Sequence, residues 1–176
     1  KLSSAVIAQP AHRIAELAKL SRRQLASARF LMVEETGMGA DCPFSGEKLS
    51  PVLAAYRARD FDDACRIVGT IYDYQGAGHS VGIHSANDAN ILRLGLELPV
   101  CRVIVNQAHC FATGGSFDNG LPFSLSMGCG TWGGNGFSEN LDYRHYLNIT
   151  RVSRRIPARE PGIADIFGDY LARHGC

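Results

Sequence analysis

Hydrophobic and polar positions switch between a strand-like and a helix-like period along most of the chain. Ser4–Ala8 is a short apolar run that reads as a strand, and Pro10 then opens a helix with Ile14, Leu17 and Ala18 on one face. Arg29–Glu34 predicts a second strand and Val52–Arg57 a third, the latter entered through Pro51, which a strand tolerates at its start. The turn formers between them make residues 35–51 a surface loop.

Asp60 predicts a helix cap. Phe61, Ala64, Cys65, Val68, Ile71 and Tyr72 follow at helical spacing, and Asp62 and Asp63 complement the helix dipole. Gly76-Ala77-Gly78 stops that helix. A strand over His79–Ser85, a helix over Asp88–Leu98 and a strand over Cys101–Asn106 come next. Strands alternating with helices predict an α/β fold, an open and mostly parallel sheet built from βαβ units with helices on both faces.

Regular alternation ends after Asn106. Residues 107–140 form a long irregular run whose aromatic residues favour order, and runs of that length are commonly functional. Beyond it, Tyr146–Ser153 reads as a strand outside the βαβ unit and Ile163–Arg173 as an amphipathic helix.

The densest chemistry lies in Gly128–Asn140, GCGTWGGNGFSEN, with five glycines and the only tryptophan. Glycine allows close backbone approach at an entropic cost, so such a run is expected to be an ordered loop that serves a ligand. Gly128, Gly130 and Gly133 also match G-x-G-x-x-G. A dinucleotide fingerprint must leave a strand and open a helix, and the flanking residues suit neither role.

Composition narrows the function classes. With 176 residues, 45% of them hydrophobic and 20% charged, the chain can bury a core. Lys plus Arg number 18 against 17 Asp plus Glu, a net charge of +1, so no global basic field points to nucleic acid; Arg151, Arg154 and Arg155 form the one basic cluster. No apolar run is long enough to span a membrane, no signal peptide is visible, and the six cysteines show neither zinc-site nor disulfide-framework spacing. These features predict a cytoplasmic protein with reduced thiols. The opening KLSSAVIAQP reads as cut from something longer.

Glu47–Leu53 (EKLSPVL), Gly76–Ser80 (GAGHS) and the Gly128–Asn140 loop together resemble the CoA-acylating aldehyde dehydrogenases, from Ser4 to about Arg155. The stretch NQAHCFATGGSFDNGLPFSLSMGCGTWGG is most similar to the branch of that family acting on sulfoacetaldehyde. In the family a cysteine thiolate attacks an aldehyde, hydride passes to NAD or NADP, and the thioester is handed to the thiol of coenzyme A.

The resemblance implies a role for Glu47, with Leu49 beside it, at the nicotinamide ribose, where carboxylate oxygens accept from hydroxyls. It implies that His79 is catalytic or handles the CoA thiol, since imidazole moves protons near neutrality. His109, Cys110, Cys129, Trp132 and Asn135 are assigned to the aldehyde and CoA pocket, with Ser116 and Asn119 as further candidates for holding a polar aldehyde tail. None of the cysteines lies in the family's nucleophile motif, so the nucleophile is expected upstream of this chain.

On this basis residues 1–140 correspond to the later portion of the catalytic domain, 141–156 to a return strand that builds a homo-oligomer, and 157–176 to a terminal helix. Two other readings remain at this point: a non-catalytic assembly fragment of the same fold, and a self-contained thiol enzyme pairing Cys110 with His109.

Overall fold

A computed structural model describes residues 2–20 and 23–175. The chain divides into two compact units, Lys1–His145 and Tyr146–Cys176.

In the first unit, helix α1 spans Ala11–Leu17 and buries Ala11, Ile14 and Ala15. Strands β1 (Leu31–Glu34) and β2 (Val52–Ala55) pair in parallel, with Leu31 opposite Val52 and Glu34 opposite Ala55. Their connection has a single 3-10 turn, Pro43–Ser45.

Helix α2 runs from Phe61 to Gln75 and starts where the sequence places its cap: the Asp60 side chain accepts from Asp63 N at 2.8 Å. It ends at Gly76, whose φ of 107° the other residues rarely adopt. Strand β3 (Val81–Ile83), helix α3 (Asp88–Glu97) and strand β4 (Val103–Val105) complete a βαβ unit, β3 and β4 being parallel with Val81 opposite Val103. Asn87 caps α3 by accepting from Asn90 N at 3.2 Å.

The core of this unit lies between its helices and strands. Val81, Leu94, Leu98 and Val100 are buried, with Phe61, Cys65, Val68 and Tyr72 of α2 packed against them. Burial of these side chains is the main driving force for the arrangement, at roughly 1.5–3 kcal/mol for each large apolar side chain fully removed from water. The packing fixes the start of β3, where His79 and Ser80 stand, relative to the start of β4, where Arg102 stands.

The α/β fold with parallel strands flanked by helices is as expected, but the strands form two separate two-stranded sheets, β1–β2 and β3–β4. Ser4–Ala8 is a turn and not a strand: Val6 N donates to Ser3 O, Ala8 has φ 56°, and Ala8 N donates to Leu49 O. Among residues 4–8 only Val6 is half-buried, and the turn is tied to the 35–51 loop through the backbone of Ala8. Helix α4, His109–Ala112, interrupts the stretch read as irregular.

In the second unit, helix α5 spans Ile163–His174. The strand expected at Tyr146–Ser153 is not formed: Tyr146 ends a 3-10 turn, Tyr143–Tyr146, and residues 147–162 take no regular structure. A strand exists only through bonds to a neighbour, and apolar alternation alone does not supply one.

Candidate active site

The site is assembled at the point where α2 ends and β3 begins. Gly78 takes φ 104°, and the carbonyl of Cys129 lies so close that a Cβ on Gly78 would overlap it. The glycine loop therefore docks on the backbone immediately before His79. Gly78 N donates to Pro99 O at 2.7 Å and Cys101 N to Gly78 O at 2.9 Å, which extends the β3–β4 pairing to this contact.

The loop itself is a closed hairpin. Gly128 N donates to Glu139 O at 2.9 Å and Gly130 N to Phe137 O at 3.0 Å. At its tip, Thr131–Gly133 makes one 3-10 turn, so the G-x-G-x-x-G match sits in a hairpin and not between a strand and a helix. Asn135 Oδ1 accepts from Cys129 N at 2.7 Å, tying the tip to the base, while Trp132 is exposed.

Arg102 holds these pieces together. It is 5% exposed, and no carboxylate pairs with it among the described residues. Its Nη1 donates to His79 O at 3.1 Å and to Gly128 O at 3.0 Å, its Nη2 to Ser138 O at 3.1 Å, and its Nε to Asn140 Oδ1 at 2.7 Å. Asn140, 1% exposed, in turn donates through Nδ2 to Thr113 O and Pro122 O, both at 2.9 Å. A buried guanidinium is tolerated because main-chain carbonyls and one side-chain amide accept its protons. Sequence reading missed both residues. The signal was an arginine at the head of the apolar run CRVIVN and an asparagine closing the glycine loop.

His79 and His109 are brought together through Ser80. His79 Nδ1 lies 2.5 Å from Ser80 Oγ, and Ser80 Oγ lies 2.9 Å from His109 Nε2. Tyr72 of α2 donates its hydroxyl to Ser80 O at 2.7 Å, which anchors the middle member. Burial holds the His79 imidazole below its ordinary pKa, and the Arg102 charge adds to the effect. His109 is lowered by burial first and by His79 second. His79 nonetheless exposes part of its ring to solvent, so water tempers the shift.

Glu47 lies on the 35–51 loop, which docks against the same end of α2: Glu47 N donates to Gln75 Oε1 at 2.8 Å. Its side chain is exposed, and the adjacent Lys48 Nζ is taken up by Phe44 O at 2.8 Å and Gly46 O at 2.7 Å. The Glu47 carboxylate is thus left as a pair of acceptors at the surface. Leu49, beside it, has φ 46° and an exposed side chain.

The remaining candidates separate. Cys110 is exposed on α4, next to a histidine whose Nε2 is engaged with Ser80. Asn119 is taken up inside its own loop: Nδ2 donates to Gln107 Oε1 and Ala112 O, and Oδ1 accepts from Ser116 N and Leu121 N. Its amide is a staple for residues 107–121 and is not free for a substrate tail.

No protein-family model matches the chain. Characterised proteins and solved structures do match it. The chain aligns over 99% of its length, at 63% identity, with an acylating sulfoacetaldehyde dehydrogenase of Cupriavidus necator, and covers 36% of that protein. It is 38% identical over 169 residues to an acetylating succinate-semialdehyde dehydrogenase of Clostridium kluyveri, covering 37% of it. Among solved structures, a probable aldehyde dehydrogenase of Listeria monocytogenes superposes with a TM-score of 0.81 at 35% identity, over 89% of this chain and 34% of that one. An acetylating aldehyde dehydrogenase of Geobacillus thermoglucosidasius gives 0.77 at 30% identity, over 88% and 34%.

Sequence and fold therefore relate the chain to the acylating aldehyde dehydrogenases, an enzyme family, and it spans about a third of the length of those relatives. Within the family its similarity to the sulfoacetaldehyde enzyme of Cupriavidus necator extends along nearly the whole chain.

Proposed function

We propose that this chain forms part of the catalytic domain of an NAD(P)-dependent, CoA-acylating aldehyde dehydrogenase that converts sulfoacetaldehyde to its acyl-CoA, working as a homo-oligomer. The observation that carries the reading is the shared anchoring of His79 and the glycine loop: one guanidinium nitrogen of Arg102 binds the carbonyls of both His79 and Gly128. The His79 backbone is thereby fixed beside a loop whose glycines permit close approach of a ligand.

The residues present suit the implied groups. NAD(P) supplies the hydride acceptor and coenzyme A the thiol that receives the acyl group. Glu47, whose carboxylate has no partner among the described residues, would accept from the ribose hydroxyls, and its loop is held on the end of α2 by Gln75. Leu49 offers an apolar surface next to that carboxylate.

His79 is the proton acceptor. With Nδ1 directed at Ser80, its Nε2 faces outward and takes a thiol proton as the sulfur attacks. Burial first, and the Arg102 charge second, favour the neutral imidazole, the form that accepts a proton. The thiol that forms the covalent acyl intermediate belongs to the part of the protein outside this chain, and Cys129, Trp132 and Asn135 on the glycine loop and Cys110 on α4 are the side chains offered to the aldehyde and CoA.

The 63% identity to a sulfoacetaldehyde enzyme supports the substrate choice. The test is to incubate the intact polypeptide bearing this chain with sulfoacetaldehyde, NAD(P) and CoA and to look for sulfoacetyl-CoA by mass spectrometry. Turnover of succinate semialdehyde with no sulfoacetyl-CoA removes the substrate assignment. No thioester from any aldehyde removes the reaction.

A further inference from the structure

Ser80 and His109 do more than sit near His79. The three polar atoms form an unbroken file, His79 Nδ1 to Ser80 Oγ at 2.5 Å and Ser80 Oγ to His109 Nε2 at 2.9 Å, running from an exposed ring to a half-buried one. A serine hydroxyl has one proton to give, so its direction sets the tautomer of both rings.

If Ser80 donates to His109 Nε2, its oxygen accepts from His79 Nδ1–H, and His79 Nε2 carries the free lone pair. If His109 Nε2–H donates to Ser80, the hydroxyl points at His79 Nδ1, and His79 Nε2 bears the proton. Only the first arrangement makes His79 a base on its outer side.

We propose that Ser80 and His109 are positioning residues that hold His79 as the Nδ1–H tautomer and take over the charge when Nε2 is protonated. The proposal rests on the reading of His79 as the acceptor of the CoA thiol proton. The steps balance. A proton arriving at His79 Nε2 is matched by transfer of the Nδ1 proton to Ser80 Oγ and of the Ser80 proton to His109 Nε2. One proton enters and one positive charge appears on His109, with no net change at Ser80. Reversal returns the proton outward.

Among the described residues, no fixed counter-charge ties the proton to one ring of the file. The charged and titratable groups facing the file are Arg102, which donates to His79 O, and Tyr72, which donates to Ser80 O. No carboxylate among the described residues bonds to either imidazole of the file, so nothing fixes a permanent charge on either ring. The file is also held sterically. A Cβ on Gly82 would come 2.7 Å from His109 Nδ1, so the absence of a side chain there makes room for the ring.

The test reads the tautomer directly by long-range 15N–1H NMR of the full chain at a pH where both rings are neutral. The wild type is expected to show His79 protonated at Nδ1. In His109→Phe the hydroxyl loses its acceptor, turns to His79 Nδ1, and His79 becomes the Nε2–H form. His109→Gln, which offers a carbonyl oxygen, keeps the wild-type tautomer. Gly82→Ala displaces the His109 ring without removing a polar group and is expected to act like His109→Phe.

In the acyl-transfer assay His109→Phe is expected to lower kcat about a hundredfold with KM for CoA little changed. An Nε2–H tautomer of His79 in the wild type overturns the proposal, as does a tautomer indifferent to both His109→Phe and Gly82→Ala. The two readings part cleanly. A responsive tautomer in a protein that makes no acyl-CoA keeps the file and removes the dehydrogenase, and acyl-CoA formation with an indifferent tautomer does the reverse.

Discussion

Arg102 Nε donates to Asn140 Oδ1 across 2.7 Å, joining the head of strand β4 to a residue 38 positions later that closes the glycine loop. Both side chains are buried, and among the described residues their hydrogen bonds go to the main chain or to each other. The bond is the hinge pin of the site, since the same two residues reach His79 O, Gly128 O, Ser138 O, Thr113 O and Pro122 O.

Asn140→Ala is expected to destabilise the fold by about 1–3 kcal/mol for each buried partner left without a bond. Asn140→Asp should fare no better. It offers Arg102 a counter-charge but turns an acceptor oxygen toward two carbonyls that need donors. Urea denaturation of both variants checks this, and wild-type stability in Asn140→Asp contradicts it.

Gly78→Ala tests the docking of the glycine loop. The residue has φ 104°, and its Cβ would overlap the Cys129 carbonyl. The backbone strain alone costs about 1–2 kcal/mol, and the overlap forces the loop away from His79. Hydrogen exchange at the amides of Gly128 and Gly130 should accelerate relative to wild type, whereas Gly136→Ala, with open space at its Cβ, should leave them protected.

The elements with strong local signals were legible in the sequence. Asp60 and Gly76 bound α2 where the cap and stop chemistry placed them, and the Val81 and Val103 strands pair in parallel as the βαβ alternation implied. Strands came out shorter than their apolar runs because only residues with a neighbour join a ladder: His79–Ser85 yields Val81–Ile83. Ser4–Ala8 carried the right composition but no partner, and docked as a turn. Helix α4 was invisible because its four residues are too few to show a period. His79, Glu47 and the glycine loop were proposed from motifs, and their roles stand as proposals. Arg102 and Asn140 belong to no motif: their only trace is a charged residue at the head of an apolar run and an amide at the loop's end, and the carbonyls that satisfy the guanidinium carry no side-chain signature.

Asp63 sets an acid limit on stability. Its side chain is 7% exposed and bonded to Arg66 Nη2 at 2.7 Å, with further bonds from Arg59 N and Nε. The Arg66 contact first, then the Arg59 backbone and side chain, lower its pKa from 3.8 to about 2. A depressed carboxylate stabilises the fold fully above its unfolded pKa and stops doing so as pH falls through the folded value. Stability should therefore drop between about pH 4 and pH 2, and Asp63→Asn should flatten that part of the curve. An equally steep decline in the variant contradicts the assignment.

Glu47→Gln separates cofactor binding from folding. The side chain is exposed and makes no bond that stabilises the loop, which is held instead by Glu47 N and Lys48 Nζ. Thermal stability should stay within about 0.5 kcal/mol of wild type, as for surface changes generally. Affinity for NAD(P), measured by calorimetry on the intact polypeptide, should fall severalfold. Unchanged affinity removes Glu47 from the ribose site.

The most direct measurement is CoA-dependent NAD(P)H formation from sulfoacetaldehyde by the intact polypeptide, run in parallel on wild type and His79→Ala. The account predicts steady turnover only when CoA is present, and a loss of about a hundredfold or more in the variant at the acyl-transfer step. Steady turnover without CoA, or His79→Ala proceeding at the wild-type rate, contradicts it.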